Sequence, residues 1–430
     1  MFININSLEQ ELKTMFESNE IESFLAMLTQ MFFEMLSDPR FRGQALFEPI
    51  SDGYLQKLAL SLCDYNLEGR HKNAVLHVAT EVYDTGGHTR VLEDIVANLP
   101  DKRHVLVLTG GAAGRPPQLS KLLQERFATL GLSVIYLHRQ ALFDRVKELV
   151  ALIRNLAPHT IFLNAHHFDS VAYGAVCGYS APRVHFLHHA DHQPSLGATR
   201  TDYEHFDLTP ECHGACRKHL KFGPKMLHMS AADHGMVCDG PTDEATSLVC
   251  VTSGSAQKFH GEVGFGYPQL ASALLKAGVD RLHHIGPFPD VLQQQVRNQL
   301  AIDGSDPGRI VFEGPVPSLV TRLKEIAPDF YLESHPVGGG KARVEALALG
   351  LPILRAEPPE KLPLFRWVDG ELGSAAIISH LGDVPAAVDK IRTTGKAMGA
   401  SNREFYQQFH APDVFRQKLL NMTEPVPAGL

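Results

Sequence analysis

From residue 73 onward, short blocks of consecutive apolar residues alternate with longer stretches in which apolar positions recur every three or four residues. The blocks at 75–79, 104–108, 134–137, 161–164 and 184–187 predict parallel strands covered on both faces. The periodic stretches at 91–98, 119–130, 143–156 and 169–177 predict helices between them, and the alternation is that of a doubly wound sheet. A second alternation begins with a strand at 247–252. It continues through helix 267–276, strand 282–285, helix 291–300, strand 310–313, helix 318–326, strand 330–333, a helix opening near Lys341, and a buried strand after Gly350 and Pro352.

The first 70 residues lack strand blocks and predict helices. Ser7 with Gln10, and Asn19 with Glu22, have capping-box spacing ahead of apolar periodic runs, and a third helix is expected after Asp52-Gly53 through Leu62. Residues 195–245 are rich in His, Asp, Gly and Pro and read as loops and short helices. Helical pattern returns over 402–420. The division expected is a helical segment 1–70, a first Rossmann-like domain 71–245, a second 246–395, and a terminal helix and tail 396–430.

With 430 residues, 44% hydrophobic and 20% charged, the chain is long enough for two or three domains with cores of their own. The net charge of -8 and the lack of a basic tract argue against nucleic acid as a partner. No apolar run is long enough for a transmembrane segment, and the start lacks the basic region of a signal peptide, so a cytoplasmic protein is expected. Six scattered cysteines suit reduced thiols better than a disulfide framework.

The chemistry concentrates in residues 329–354. A strand, the glycine turn Gly338-Gly339-Gly340 and a helix opening at Lys341 leave backbone N–H groups at a helix N-terminus, where a phosphate fits. Glu345 lies one turn beyond Lys341 on the same face, placed to accept from ribose hydroxyls. The same residues also describe a strand-to-helix turn with no ligand.

This stretch resembles the donor-binding element of glycosyltransferases with the GT-B architecture, two Rossmann-like α/β domains facing a cleft. Its form is similar to the O-GlcNAc-transferase type and its bacterial protein N-glycosyltransferase relatives. The resemblance implies that the turn holds a nucleotide diphosphate and that Glu345 holds the ribose. Two departures stand out: Gly340, Lys341 and Ala342 occupy the place of a His-Thr-Thr, which leaves Lys341 to supply charge. The partner position of the Glu-x7-Glu pair is Val337, which favours an inverting over a retaining reaction.

Other motifs fall on strand ends. After the first strand, Gly86 and Gly87 lead into a helix with His88 beside them; in GT-B enzymes this loop faces the cleft, and an imidazole there can bind phosphate or take a proton. His188-His189-Ala190-Asp191-His192 follows the strand at 184–187, and His166-His167 the strand before it. Ser255 and Lys258, after the first strand of the second domain, match the place where GT-B families set a basic side chain against the diphosphate. Residues 309–317 resemble the loop that cups the base, with Val316 reading uracil through its backbone.

The reading is a metal-independent, inverting glycosyltransferase with no cofactor beyond its UDP-sugar donor, a UDP-hexose or UDP-N-acetylhexosamine, and a protein or glycan acceptor. Lys258, Ser255, Val316, Gly339, Gly340, Lys341 and Glu345 bind the donor; His88, Asp191 and His189 are the catalytic candidates. The N-terminal helices serve acceptor recognition or oligomerisation, or simply cap the sheet. Two other classes stay open: a metal-dependent hydrolase on the 188–192 cluster, which lacks the first histidine of the binuclear pattern at Leu187, and a non-catalytic sugar-nucleotide-binding partner subunit. Cys212, Cys216 and His219, with Cys238 beyond, form a metal candidate of loose spacing, for which ordinary thiols are the plainer reading.

Overall fold

The computed structural model describes residues 5–37, 49–63, 71–110, 118–178, 183–189, 193–235, 247–259, 264–357 and 373–423. The chain divides into two compact units, Met1–Leu227 with Arg416–Leu430, and His228–Phe415. No helix among the described residues is long and apolar enough to cross a membrane.

The first unit contains, in order, α1 (Ile5–Glu17), α2 (Ile21–Ser37), α3 (Pro49–Leu62), β1 (His71–Ala79), α4 (Gly87–Asn98), β2 (Arg103–Leu108), α5 (Lys121–Thr129), β3 (Ser133–Tyr136), α6 (Leu142–Leu156), β4 (Pro158–Leu163), α7 (Ser170–Ala175), β5 (Arg183–His188), β6 (Glu204–Asp207), α8 (Pro210–His219) and β7 (Lys225–Met226). Its seven parallel strands run in the order β3-β2-β1-β4-β5-β6-β7. The first five are the apolar blocks of the sequence. β6 and β7 fall where loops and short helices were expected, because strands of two to four residues carry no apolar run.

The N-terminal helices have no core of their own. Leu12, Phe24, Leu25 and Phe32 are buried in one cluster with Leu76, Val78 and Phe186 of the sheet and Tyr173 of α7, which favours the capping role for this segment. At roughly 2 kcal/mol or more for each large apolar side chain removed from water, these helices are part of the unit's stability. Two polar anchors add register. Asp52 on α3 accepts from the backbone N–H of Thr199 at 2.8 Å and from its hydroxyl at 2.6 Å. Glu22 does not close a capping box on its own helix; its carboxylate accepts from the first N–H groups of α6, Leu142 at 2.9 Å and Phe143 at 2.7 Å. Ser7 lies inside α1, which already runs from Ile5.

The second unit contains β8 (Leu248–Ser253), α9 (Tyr267–Lys276), β9 (Val279–Ile285), α10 (Asp290–Ile302), β10 (Ile310–Gly314), α11 (Leu319–Ile326), β11 (Phe330–Leu332), α12 (Gly340–Ala348), β12 (Ile353–Ala356), β13 (Ala375–Ile378) and α13 (Val384–Phe409). Its six parallel strands run β10-β9-β8-β11-β12-β13. A last helix, α14 (Pro412–Thr423), starts at Pro412, which cannot extend α13, and within the first unit Arg416 donates to the Asn98 carbonyl at 3.1 Å.

Candidate functional site

In both sheets the first strand of the unit lies between the second and the fourth, so the direction of winding reverses there. Open α/β sheets bind ligands outside the C-terminal ends of the strands flanking that reversal. In the second unit these strands are β8 and β11, and the loops beyond them carry Lys258 and the Gly338-Gly339-Gly340 turn. They meet: Lys258 Nζ donates to the Gly338 carbonyl at 3.4 Å, and Val337 N–H donates to the Lys258 carbonyl at 3.3 Å.

Sequence locality explains the approach. Gly254 ends β8 at φ 150 and Gly286 ends β9 at φ 134, in backbone conformations that side chains disfavour. A Cβ on Gly286 would stand 2.3 Å from the Gly254 carbonyl oxygen, so the two strand ends close up only because residue 286 is glycine. His284 backs this loop, with Nε2 3.2 Å from the Gly254 carbonyl and Nδ1 3.1 Å from the Tyr267 hydroxyl; burial lowers it to about 4. Ser255 is half-buried at the start of the short turn to Lys258. Val316 is half-buried in the loop after β10, two strands from the reversal.

The turn itself rests on a buried ion network. Glu333, at the end of β11, pairs through Oε1 with Arg343 Nη1 at 2.9 Å and through Oε2 with Arg355 Nη1 at 3.2 Å. Arg355 Nε reaches Glu357 at 2.9 Å. A Cβ on Gly338 would sit 2.8 Å from Glu333 Oε1, so the carboxylate lies directly behind the turn and requires glycine there. Ser334 Oγ closes the loop by donating to the Val337 carbonyl at 2.8 Å. Lys341 differs from expectation: it is buried, and its ammonium donates to the Ser230 carbonyl. The cation at the turn is Lys258 instead. Glu345 is half-buried on α12, near enough for its charge to raise the Tyr331 phenol, behind the larger effects of burial and Glu333.

Glu333, Arg343, Arg355 and His284 were not singled out from sequence. The available signal was three charges in a strand-turn-helix-strand run otherwise apolar enough to be buried, since such charges need partners.

In the first unit the reversal lies between β1 and β4. The His88 ring stands 4.8 Å from that of His166 and 4.4 Å from that of His189. Gly86 caps α4 at φ 120, which puts His88 in the first turn of the helix, and Asn164 beyond β4 donates to the His88 carbonyl at 3.5 Å. Below the histidines, the Thr80 hydroxyl accepts from His166 N–H at 2.8 Å and donates to buried Asp169 at 2.6 Å. Both His88 ring nitrogens are buried with no hydrogen-bond partner among the described residues. Burial, then the neighbouring His189 and His166, hold its pKa well below the ordinary 6.5. A neutral imidazole with an available lone pair results, which suits a proton acceptor or a ligand contact.

His188 and His189 do not belong to one cluster. His188 ends β5 and His189 follows it, so their side chains take opposite faces. His189 joins His88; His188 turns to Asp207, Cys212 and Cys216, all buried, and these are the described residues whose donor atoms could hold a metal. Asp191 and His192, like Cys238, lie outside the described residues. His219 is exposed at the end of α8 and takes no part. The hydrogen bond from Cys212, against burial and aided by His188, brings the Cys216 thiol down to about 5. Burial alone would raise Asp207, but hydrogen bonds from His188, His205 and His213 carry it well below the usual carboxylate range.

No protein-family model and no curated protein matches the sequence. Solved structures do. The Anabaena HepE protein, crystallised in complex with UDP and glucose, is 14% identical with a TM-score of 0.57, covering 82% of this chain and 99% of its own. A glycosyltransferase from Rickettsia africae gives 10% identity and 0.59 over 82% of this chain and 98% of its own. The O-GlcNAc transferase of Thermobaculum terrenum gives 13% and 0.50 over 93% of this chain and 78% of its own. The chain therefore has the two-Rossmann-unit GT-B fold of these glycosyltransferases.

Proposed function

We propose that the protein is a cytoplasmic glycosyltransferase that passes a hexose or N-acetylhexosamine from a UDP-sugar to a protein or glycan acceptor, without a catalytic metal and with inversion. The observation that carries this reading is the meeting of Lys258 with the glycine turn at the winding reversal of the second unit. A diphosphate leaving group gains negative charge as the glycosidic bond breaks, and a fixed ammonium beside the N-terminus of α12 stabilises that charge. Glu345 would accept from the ribose hydroxyls, and the backbone at Val316 would face the base. HepE, with UDP and glucose in its crystals, supports a uridine donor for a chain of this fold.

In the first unit His88, with His189 beside it, is the proposed base for the acceptor, and Asp191 is the other candidate. The depressed pKa of His88 keeps it unprotonated at neutral pH, as a base must be. The test is a thermal-shift panel of UDP, GDP, ADP and TDP, followed by turnover of the matching sugar nucleotides. UDP should raise the melting temperature most, and a UDP-sugar should be consumed. Binding without turnover on any acceptor would instead support a non-catalytic subunit.

A further inference from the structure

We propose that His188, Asp207, Cys212 and Cys216 form a closed tetrahedral zinc site that staples α8 to the ends of β5 and β6. The site is distinct from the donor site and from the His88 group, and nothing in the glycosyl-transfer reading requires it.

The fold assembles the four donors from two local patterns. His188 and Asp207 are register partners across the parallel pair β5 and β6, so their side chains leave the sheet side by side on one face. Thr209 caps α8 immediately after β6, and Cys212 and Cys216, four residues apart, share the helix face turned to those strand ends. The resulting spacing is that of one coordination sphere. His188 Nδ1 lies 3.1 Å from Cys212 Sγ, 3.3 Å from Cys216 Sγ and 3.2 Å from Asp207 Oδ1. Cys212 Sγ is 3.5 Å from Asp207 Oδ1 and 4.0 Å from Cys216 Sγ. Zinc bonds of about 2.3 Å to sulfur and about 2.0–2.2 Å to nitrogen or oxygen place tetrahedral donors roughly 3.3–3.8 Å apart. The observed edges straddle that range.

The surroundings fit a metal rather than a hydrogen-bonded core. All four residues are at most 1% exposed, and two thiols are weak hydrogen-bond partners for a buried imidazole and carboxylate. Two further imidazoles orient these donors: His213 Nδ1 lies 3.0 Å from Asp207 Oδ2, and His205 Nε2 lies 2.9 Å from Oδ1 and 3.5 Å from Cys216 Sγ. Such outer donors are what ligating carboxylates carry. Two sulfurs, one nitrogen and one oxygen in a tetrahedron select zinc, and four protein ligands leave no open position, so the role is structural. Binding releases the protons held by the sulfurs and the imidazole to solvent and changes no oxidation state. Because His189 follows His188, the same staple fixes the strand end that presents His189 to His88.

The experiment is metal analysis of the full-length protein after desalting, then cobalt substitution. One zinc per chain is expected, and cobalt-loaded protein should show thiolate-to-metal charge-transfer absorption. In C212S/C216S the metal should be lost and the melting temperature should fall by ten degrees or more; H219A should keep both. Should the double variant prove insoluble, the cobalt spectrum of the wild type still decides. Protein with no stoichiometric zinc that also gives no thiolate band with cobalt would overturn the proposal, as would an equal loss of metal in H219A.

Discussion

The two units reverse their winding at the same topological point and furnish it in opposite ways. In the second unit the loops beyond β8 and β11 carry fixed charge: Lys258 in front of the turn, and Glu333 behind it held by two buried arginines. In the first unit the loops beyond β1 and β4 carry neutral imidazoles, and the nitrogens of the central one have no hydrogen bond from the described residues. One scaffold thus carries a glycine turn backed by a carboxylate and two arginines that also hold the structure together, and an imidazole group whose central ring makes no hydrogen bond to the described residues. The difference shows where a substitution will cost stability and where it will cost chemistry.

The largest effect separating the two falls on Glu333. E333A leaves Arg343 and Arg355 buried without their shared counter-charge, a loss on the order of 3–5 kcal/mol, visible as a strongly lowered denaturation midpoint. H88A should leave that midpoint within about 1 kcal/mol of wild type while cutting turnover on the order of 10²–10⁴-fold, with UDP affinity unchanged. A stability loss at His88 equal to that at Glu333 would erase the distinction.

Next in size is G338A. The added methyl meets Glu333 Oε1 at 2.8 Å, which should cost about 1–3 kcal/mol and weaken nucleotide binding with it. Smaller still is the pH dependence of the imidazole site. The unfolded chain takes up a proton at His88 near 6.5 that the buried ring resists. Its contribution to stability is therefore complete above 6.5 and declines as the pH falls below that value. Chemical denaturation of wild type and H88A from pH 7.5 to 5 should show the wild type losing more stability on acidification. A wild type that instead gains on H88A toward pH 5 would contradict the account.

Much of the architecture could be read from sequence because parallel strands buried on both faces must be apolar runs, and ten such blocks were in the chain. β6 and β7 escaped because Glu-His-Phe-Asp is buried by mutual pairing of His205 and Asp207, a tertiary fact with no periodic trace. The turn after β11 was legible through its glycines. Lys341 was not, because whether a lysine faces a ligand or a carbonyl such as that of Ser230 depends on a segment more than a hundred residues away. The histidine run misled for a simpler reason: consecutive letters at a strand end belong to opposite faces, so His188 and His189 serve different neighbourhoods.

The central claim is that the second unit holds a nucleotide diphosphate between Lys258 and the glycine turn. Titration calorimetry of UDP into wild type and K258A tests it directly. Saturable one-site binding by the wild type, weakened at least tenfold in K258A at unchanged melting temperature, is the predicted result. K258A binding UDP as tightly as wild type, or a wild type that binds none, would contradict it.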